Sequence, residues 1–141
     1  MPQSTQESSK SLEQKRAEHA WTAVKGWKNA AGGNKDAQAK YRTWAVKLPS
    51  LILRNGLLAA LAFLGSKDDK QQRDVGRKCQ DWLKGGGADV IPWEQSGDDV
   101  VQRLCDEAWQ VYRIAQAEAL QWAVWCKRFA EGYLEGGEQP R

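Results

Sequence analysis

At 141 residues with a formal net charge of +3, the chain is long enough for one domain with a real core, because a domain of this size buries roughly two-thirds of its unfolded surface or more. Its polar first ten residues, and the absence of any run near the eighteen or so apolar residues that span a bilayer, exclude a membrane partner and lead us to expect a cytoplasmic protein. Cys79, Cys105 and Cys126 are far apart and His19 is the sole histidine, so zinc-ligand spacing is absent and no metal or cofactor is expected.

The predicted elements are all helical. Ser11 and Gln14 have capping-box spacing and open a first helix that carries Ala17, Ala20, Trp21, Val24 and Trp27 on one face until Gly32-Gly33 ends it. Asn34 caps a second, with Ala37, Tyr41, Trp44, Ala45 and Leu48 inward. It is expected to stop near Leu48, since Pro49 disfavours helical geometry in the residue before it. Pro49 then begins a third helix that is apolar almost all round through Leu64 and reads as the central core helix. Its polar notch, Arg54-Asn55-Gly56, implies close backbone approach at Gly56. A neighbouring helix or an Asn-Gly kink would explain it, and so would a phosphate beside Arg54.

Ser66, followed by Asp68 and Asp69, predicts the cap and first turn of a fourth helix through Val75, Cys79, Trp82 and Leu83. Gly85 to Gly97 reads as a loop, not a P-loop, because no Gly-Lys-Ser/Thr follows. Asp98 and Asp99 open a helix running to Ala115, and Ala119, Trp122, Ala123, Cys126, Phe129, Ala130 and Tyr133 form the last apolar stripe. All three cysteines sit beside apolar neighbours and are expected to be buried free thiols. No segment alternates as a strand would, so the fold class is all-α, a single compact bundle of five to six helices over 11–134, flanked by disordered segments at 1–10 and 135–141.

Charge is distributed unevenly along this bundle. Residues 19–67 hold eight Lys/Arg against Asp36 alone, a local balance of +7, and from Ala37 to Lys67 there is no acid. Residues 68–141 carry ten bases and fourteen acids, or −4, and 1–18 balance at zero. Such asymmetry implies a face toward a polyanion.

Three stretches exceed generic amphipathicity. They are Leu12-Glu13-Gln14-Lys15-Arg16-Ala17 through Ala20 and Val24; Tyr41, Lys47-Leu48-Pro49, Ile52, Asn55-Gly56-Leu57 and Ala60-Leu61-Ala62-Phe63; and Tyr112-Arg113 with Glu118-Ala119-Leu120 and Trp125-Cys126-Lys127-Arg128-Phe129-Ala130-Glu131. This ordered set resembles the small subunit of the type III-B CRISPR RNA-targeting effector, the Cmr complex. The resemblance implies an all-helical, non-catalytic protein whose partners are guide and target RNA, the backbone and large subunits of that complex, and further copies stacked on one another. Where a threonine is common in that family the chain has Gln116, which leaves open one long helix through that point.

A groove for RNA needs contacts blind to base sequence, which Lys and Arg on rigid helices supply. The candidate RNA-binding residues are Lys40, Arg42, Lys47 and Arg54 from the acid-free stretch, with Lys127 and Arg128 beside the last stripe. Each is individually also a plausible solvated surface base, and Glu131 is placed to pair with Arg128 at i,i+3 or Lys127 at i,i+4. No nucleophile with its base, paired carboxylates or metal ligands are visible, so no enzyme is expected. The rival readings are a helical protein-binding adaptor, for which an exposed Trp93 would be an anchor, and a small subunit of a related CRISPR effector without direct RNA contact.

Overall fold

A computed structural model describes residues 10–66 and 68–136. Lys67 and the outer parts of the two segments expected to be disordered, 1–9 and 137–141, lie outside the described residues. Six α-helices and one 3₁₀ segment make up the regular structure of the described residues. α1 spans Leu12–Ala31 behind a complete Ser11/Gln14 capping box, and Gly32, at φ 58°, ends it. α2 spans Lys35–Asn55, and the side chain of its N-cap Asn34 accepts the Ala37 N–H at 3.1 Å.

Here the expected break moves. α2 runs through Pro49 and stops at Gly56, whose φ is 87°. Proline forfeits one backbone bond, but Leu48 and Ile52 continue the fully buried stripe of Tyr41 and Ala45, and that burial outweighs the local preference. A turn that needs positive φ is then made where glycine makes it without steric penalty.

α3, Leu57–Gly65, starts at once beyond this break. Having no side-chain cap of its own, it is capped from outside: the Leu57 N–H donates to Gln116 Oε1 at 2.8 Å and the Leu58 N–H to the Tyr112 hydroxyl at 2.9 Å. Kink and helix approach together therefore explain the polar notch. The donors that a phosphate would need are already occupied, so the phosphate reading of Gly56 falls. Substituting Gln116→Ala is expected to cost about 1–2 kcal/mol, the loss of a half-buried cap. Urea unfolding followed by circular dichroism measures this, and an unmoved midpoint would show that water replaces the amide.

Ser66 belongs to the end of α3, donating its hydroxyl to the Phe63 carbonyl. Asp69 is the actual cap of α4, Lys70–Lys84, accepting the Gln71 and Gln72 N–H groups, because it stands immediately before the first helical residue. A 3₁₀ segment at Gly86–Asp89 follows within the predicted loop. α5, Val100–Asp106, is capped by Asp99 as expected, but ends sooner than expected, at Glu107. That carboxylate turns back into the loop to accept the Glu94 and Gln95 N–H groups at 2.8 and 2.6 Å. α6, Trp109–Tyr133, is then continuous through Gln116.

α2 and α1 pack along the length of α6. α6, not the segment after Pro49, is the central element. It buries Val111, Ala115, Glu118, Ala119, Trp122, Ala123, Cys126 and Ala130, whereas α3 buries only Leu57, Ala60, Leu61 and Leu64. A nine-residue helix can be apolar all round and still fully bury one face only, and Leu53, just before it, is 70% exposed. Cys79 and Cys126 are buried, while Cys105 is exposed: α5 buries Val100 and Leu104, and the next residue turns about 100° away. Trp93 is half-buried. Its Nε1 donates to the Leu83 carbonyl and the Arg103 guanidinium lies 4.2 Å from its ring, so it is an internal anchor and not a surface one.

Candidate nucleic-acid interface

The helical repeat decides which candidate bases can act together. Lys40, Lys47 and Arg54 follow at seven-residue steps on α2, each about 10.5 Å further along and drifting about 20° around the axis. All three are exposed. Arg42 lies on the same helix about 160° around from Lys40. It is half-buried, and its Nε is buried without a hydrogen-bond partner.

Lys127 and Arg128 come from α6. The Glu135 N–H donates to Gln38 Oε1 and the Leu57 N–H to Gln116, which sets α6 antiparallel to α2 and puts both bases level with the middle of α2. Lys127 is half-buried and Arg128 exposed. The structure thus unites three of the six candidates in one stripe on α2, turns Arg42 to another side of the same helix, and carries Lys127 and Arg128 on the neighbouring α6.

Charge on the stripe is not neutralised. Asp36 is the one acid of α2 and sits in its first turn, where it complements the helix dipole. Among the described residues none of the six candidates forms an ion pair, and Glu131 therefore pairs with neither Lys127 nor Arg128. Two bases on α4 differ: Arg77 is 3.2 Å from Asp74, and Lys78 is 3.9 Å from Asp81.

An aromatic pair adjoins the stripe. Trp44 is four residues after Lys40 and three before Lys47, so it shares their face, half-buried. The Lys47 ammonium lies 4.9 Å from the Trp44 ring centroid, and Phe63 of α3 meets Trp44 edge-on at 5.8 Å. An exposed cation–π contact is worth about 0.5–1 kcal/mol, so Lys47 is easily released from the ring to an anion. Sequence reasoning assigned Trp44 to the core alone. Its spacing from both lysines was the available signal.

His19 and two of the three thiols are committed to the interior. His19, expected at a surface or half-buried position, is half-buried and accepts the Trp122 indole N–H on Nδ1 at 2.9 Å. Burial lowers its pKa, with Lys78 adding to the effect and Asp81 opposing it. Burial also pushes the Cys79 thiol up to about 12 and Cys126 well above its ordinary value, so both stay protonated at neutral pH. Among the described residues no cluster of three metal-ligating side chains occurs, and no helix is long and apolar enough to cross a membrane.

Comparison with known proteins places this geometry in context. Residues 12–133 match the family model described as CRISPR-associated protein (Cas_Cmr5). A relative from Thermus thermophilus, "CRISPR system Cmr subunit Cmr5", is 30% identical over 100 residues, 71% of this chain and 80% of its own length. The X-ray crystal structure of a CRISPR-associated Cmr5 family protein from the same organism aligns with a TM-score of 0.67 at 26% identity, covering 87% of this chain and 96% of that one.

Proposed function

We propose that this chain, which belongs to the CRISPR-associated Cmr5 family, acts in the cytoplasm as the small, non-catalytic subunit of a type III-B (Cmr) ribonucleoprotein effector in antiviral defence, its α2 stripe lying against RNA phosphates. The observation that carries the RNA part is the run of Lys40, Lys47 and Arg54, exposed, without ion pairs among the described residues and in register on a rigid helix that has no acid beyond its first turn. Point charges at about 10.5 Å intervals can hold a backbone but carry no base code, which suits a subunit whose sequence specificity comes from guide pairing. Arg42 would meet RNA only where a second surface of the complex brings it round the bundle.

A second surface favours protein partners. Trp109 is 63% exposed at the start of α6 with the Arg113 guanidinium 5.6 Å from its ring, and exposed Trp and Arg are typical anchors of protein interfaces. Backbone and large subunits of the complex, or further copies of this chain, would use it. Salt response separates the two roles. The isolated protein is expected to bind single-stranded RNA weakly, with a log-log salt slope of about −3 from about four phosphates at about 0.7 each. A flat response in a fluorescence-anisotropy titration would remove the RNA role and leave the adaptor.

A further inference from the structure

We infer that the open face of the α2/α6 pair is a docking groove for an acidic amphipathic helix of another protein, with Leu53, Leu120 and Val124 taking its apolar side and Arg42 and Lys127 its carboxylates. This rests on the protein-partner reading above and gives it a place and a chemistry. The bonds from Glu135 to Gln38 and from Leu57 to Gln116 set Leu53 level with Leu120. Arg42 and Leu53 lie about 40° and 60° round α2 from Gln38, away from Tyr41, on which Trp27 of α1 stacks. Lys127, Leu120 and Val124 lie about 20°, 40° and 80° round α6 from Gln116, away from Glu118, which Arg16 of α1 grips. α1 therefore covers one side of the pair, and these five residues share the other.

This face has the make-up of a protein interface, an apolar centre with a charged rim. Leu53 is 70% and Val124 38% exposed, beside the half-buried Leu120. The centre is aliphatic and offers no ring on which a base could stack. Trp109, about 20° round α6 from Gln116, continues the same side toward the start of the helix. Arg42 and Lys127 form no ion pair among the described residues, and the Arg42 Nε is buried without an acceptor, so their charge is left for carboxylates from outside. Glu131 is the one acid of α6 on this side. A second copy meeting the groove face to face would set base against base, which is costly. An extended peptide would find no sheet edge for its backbone groups here, whereas a helix satisfies its own and lies along the groove between two others.

The full chain is titrated at about 0.1 M salt with two labelled helical peptides of about 20 residues. One carries Leu on one face and Glu on the other, and its counterpart has Gln in place of every Glu. Wild-type protein is expected to bind the Glu peptide about tenfold tighter than the Gln peptide. Leu53→Ser should weaken the Glu peptide about tenfold while leaving the melting temperature and single-stranded RNA affinity unchanged, and Leu53→Met should bind as the wild type does. Lys127→Gln should narrow the preference for Glu over Gln. Failure of the wild type to bind the Glu peptide, equal binding of both peptides, or an unmoved affinity in Leu53→Ser overturns the groove. So does a loss of self-association or of RNA binding in Leu53→Ser, which would assign the face to a second copy or to RNA. If the groove fails but Trp109→Ala still impedes assembly with the other subunits of the effector, the protein-partner reading stands without it; if assembly is indifferent to both substitutions, the two fall together.

Discussion

Replacing Arg16 by Met is expected to destabilise the protein by about 3 kcal/mol or more, which for a domain of this size lowers the melting temperature by about 10 °C. The guanidinium grips Glu118 with both arms, Nε to Oε2 at 2.6 Å and Nη2 to Oε1 at 2.8 Å, and the Trp82 indole N–H donates to the same carboxylate at 3.1 Å. The Glu118 side chain is only 4% exposed and that of Arg16 18%. Without Arg16 a buried carboxylate is left with a single indole donor, and an uncompensated buried charge is among the costliest defects a core can carry. The double substitution Arg16→Met with Glu118→Gln removes the charge but leaves an acceptor for Trp82, so it should be less destabilised than Arg16→Met alone. Differential scanning calorimetry of the three proteins decides it, and a loss below about 1 kcal/mol in Arg16→Met would mean that water reaches the carboxylate.

That pair shows where sequence reading ends. Arg16 and Glu118 both lie in stretches that resemble the family, yet no local rule links residues 102 positions apart. The same holds for the glycines after α4, legible as a loop but not as packing. A Cβ on Gly86 would overlap the Trp82 ring, and one on Gly87 would lie 3.1 Å from the Trp82 Nε1 and 3.3 Å from the Glu118 Cγ. Caps at Ser11, Asn34 and Asp99 were legible because a cap is decided within three residues. Pro49 misled because its cost is local while the burial of Leu48 and Ile52 is not. Glu107 breaks the chain between α5 and α6 through bonds to loop residues twelve and thirteen positions away, which composition does not reveal. The basic stripe was visible as a count of charges. Its separation from Arg42 needed only the step of about 100° per residue, and Trp44 needed the recognition that a residue can belong to the edge of the core and to a surface at once.

Reversing Lys40, Lys47 and Arg54 to Glu together is expected to weaken single-stranded RNA binding about 100-fold at about 0.1 M salt. Three phosphate contacts at about 0.7 each contribute about two units of log-log slope, hence about two decades between about 1 M and about 0.1 M salt. The slope itself should flatten from about −3 to about −1. Folding should be affected only modestly, by about 2 kcal/mol in total, because all three side chains are exposed and carry no ion pair among the described residues; most of that loss is the Lys47 contact with the Trp44 ring and the favourable charge of Arg54 in the last turn of α2. Arg42→Glu is the discriminating control. It adds the same negative charge to the same helix about 120–160° away from the stripe, so a response to net charge alone would lower affinity as much per residue there, whereas a stripe would not register it. Its half-buried position makes a lower melting temperature the expected outcome instead. If Arg42→Glu weakens RNA binding with an intact fold as strongly as any one member of the stripe does, the register of Lys40, Lys47 and Arg54 has no part in binding and the interface must be drawn around the other side of α2.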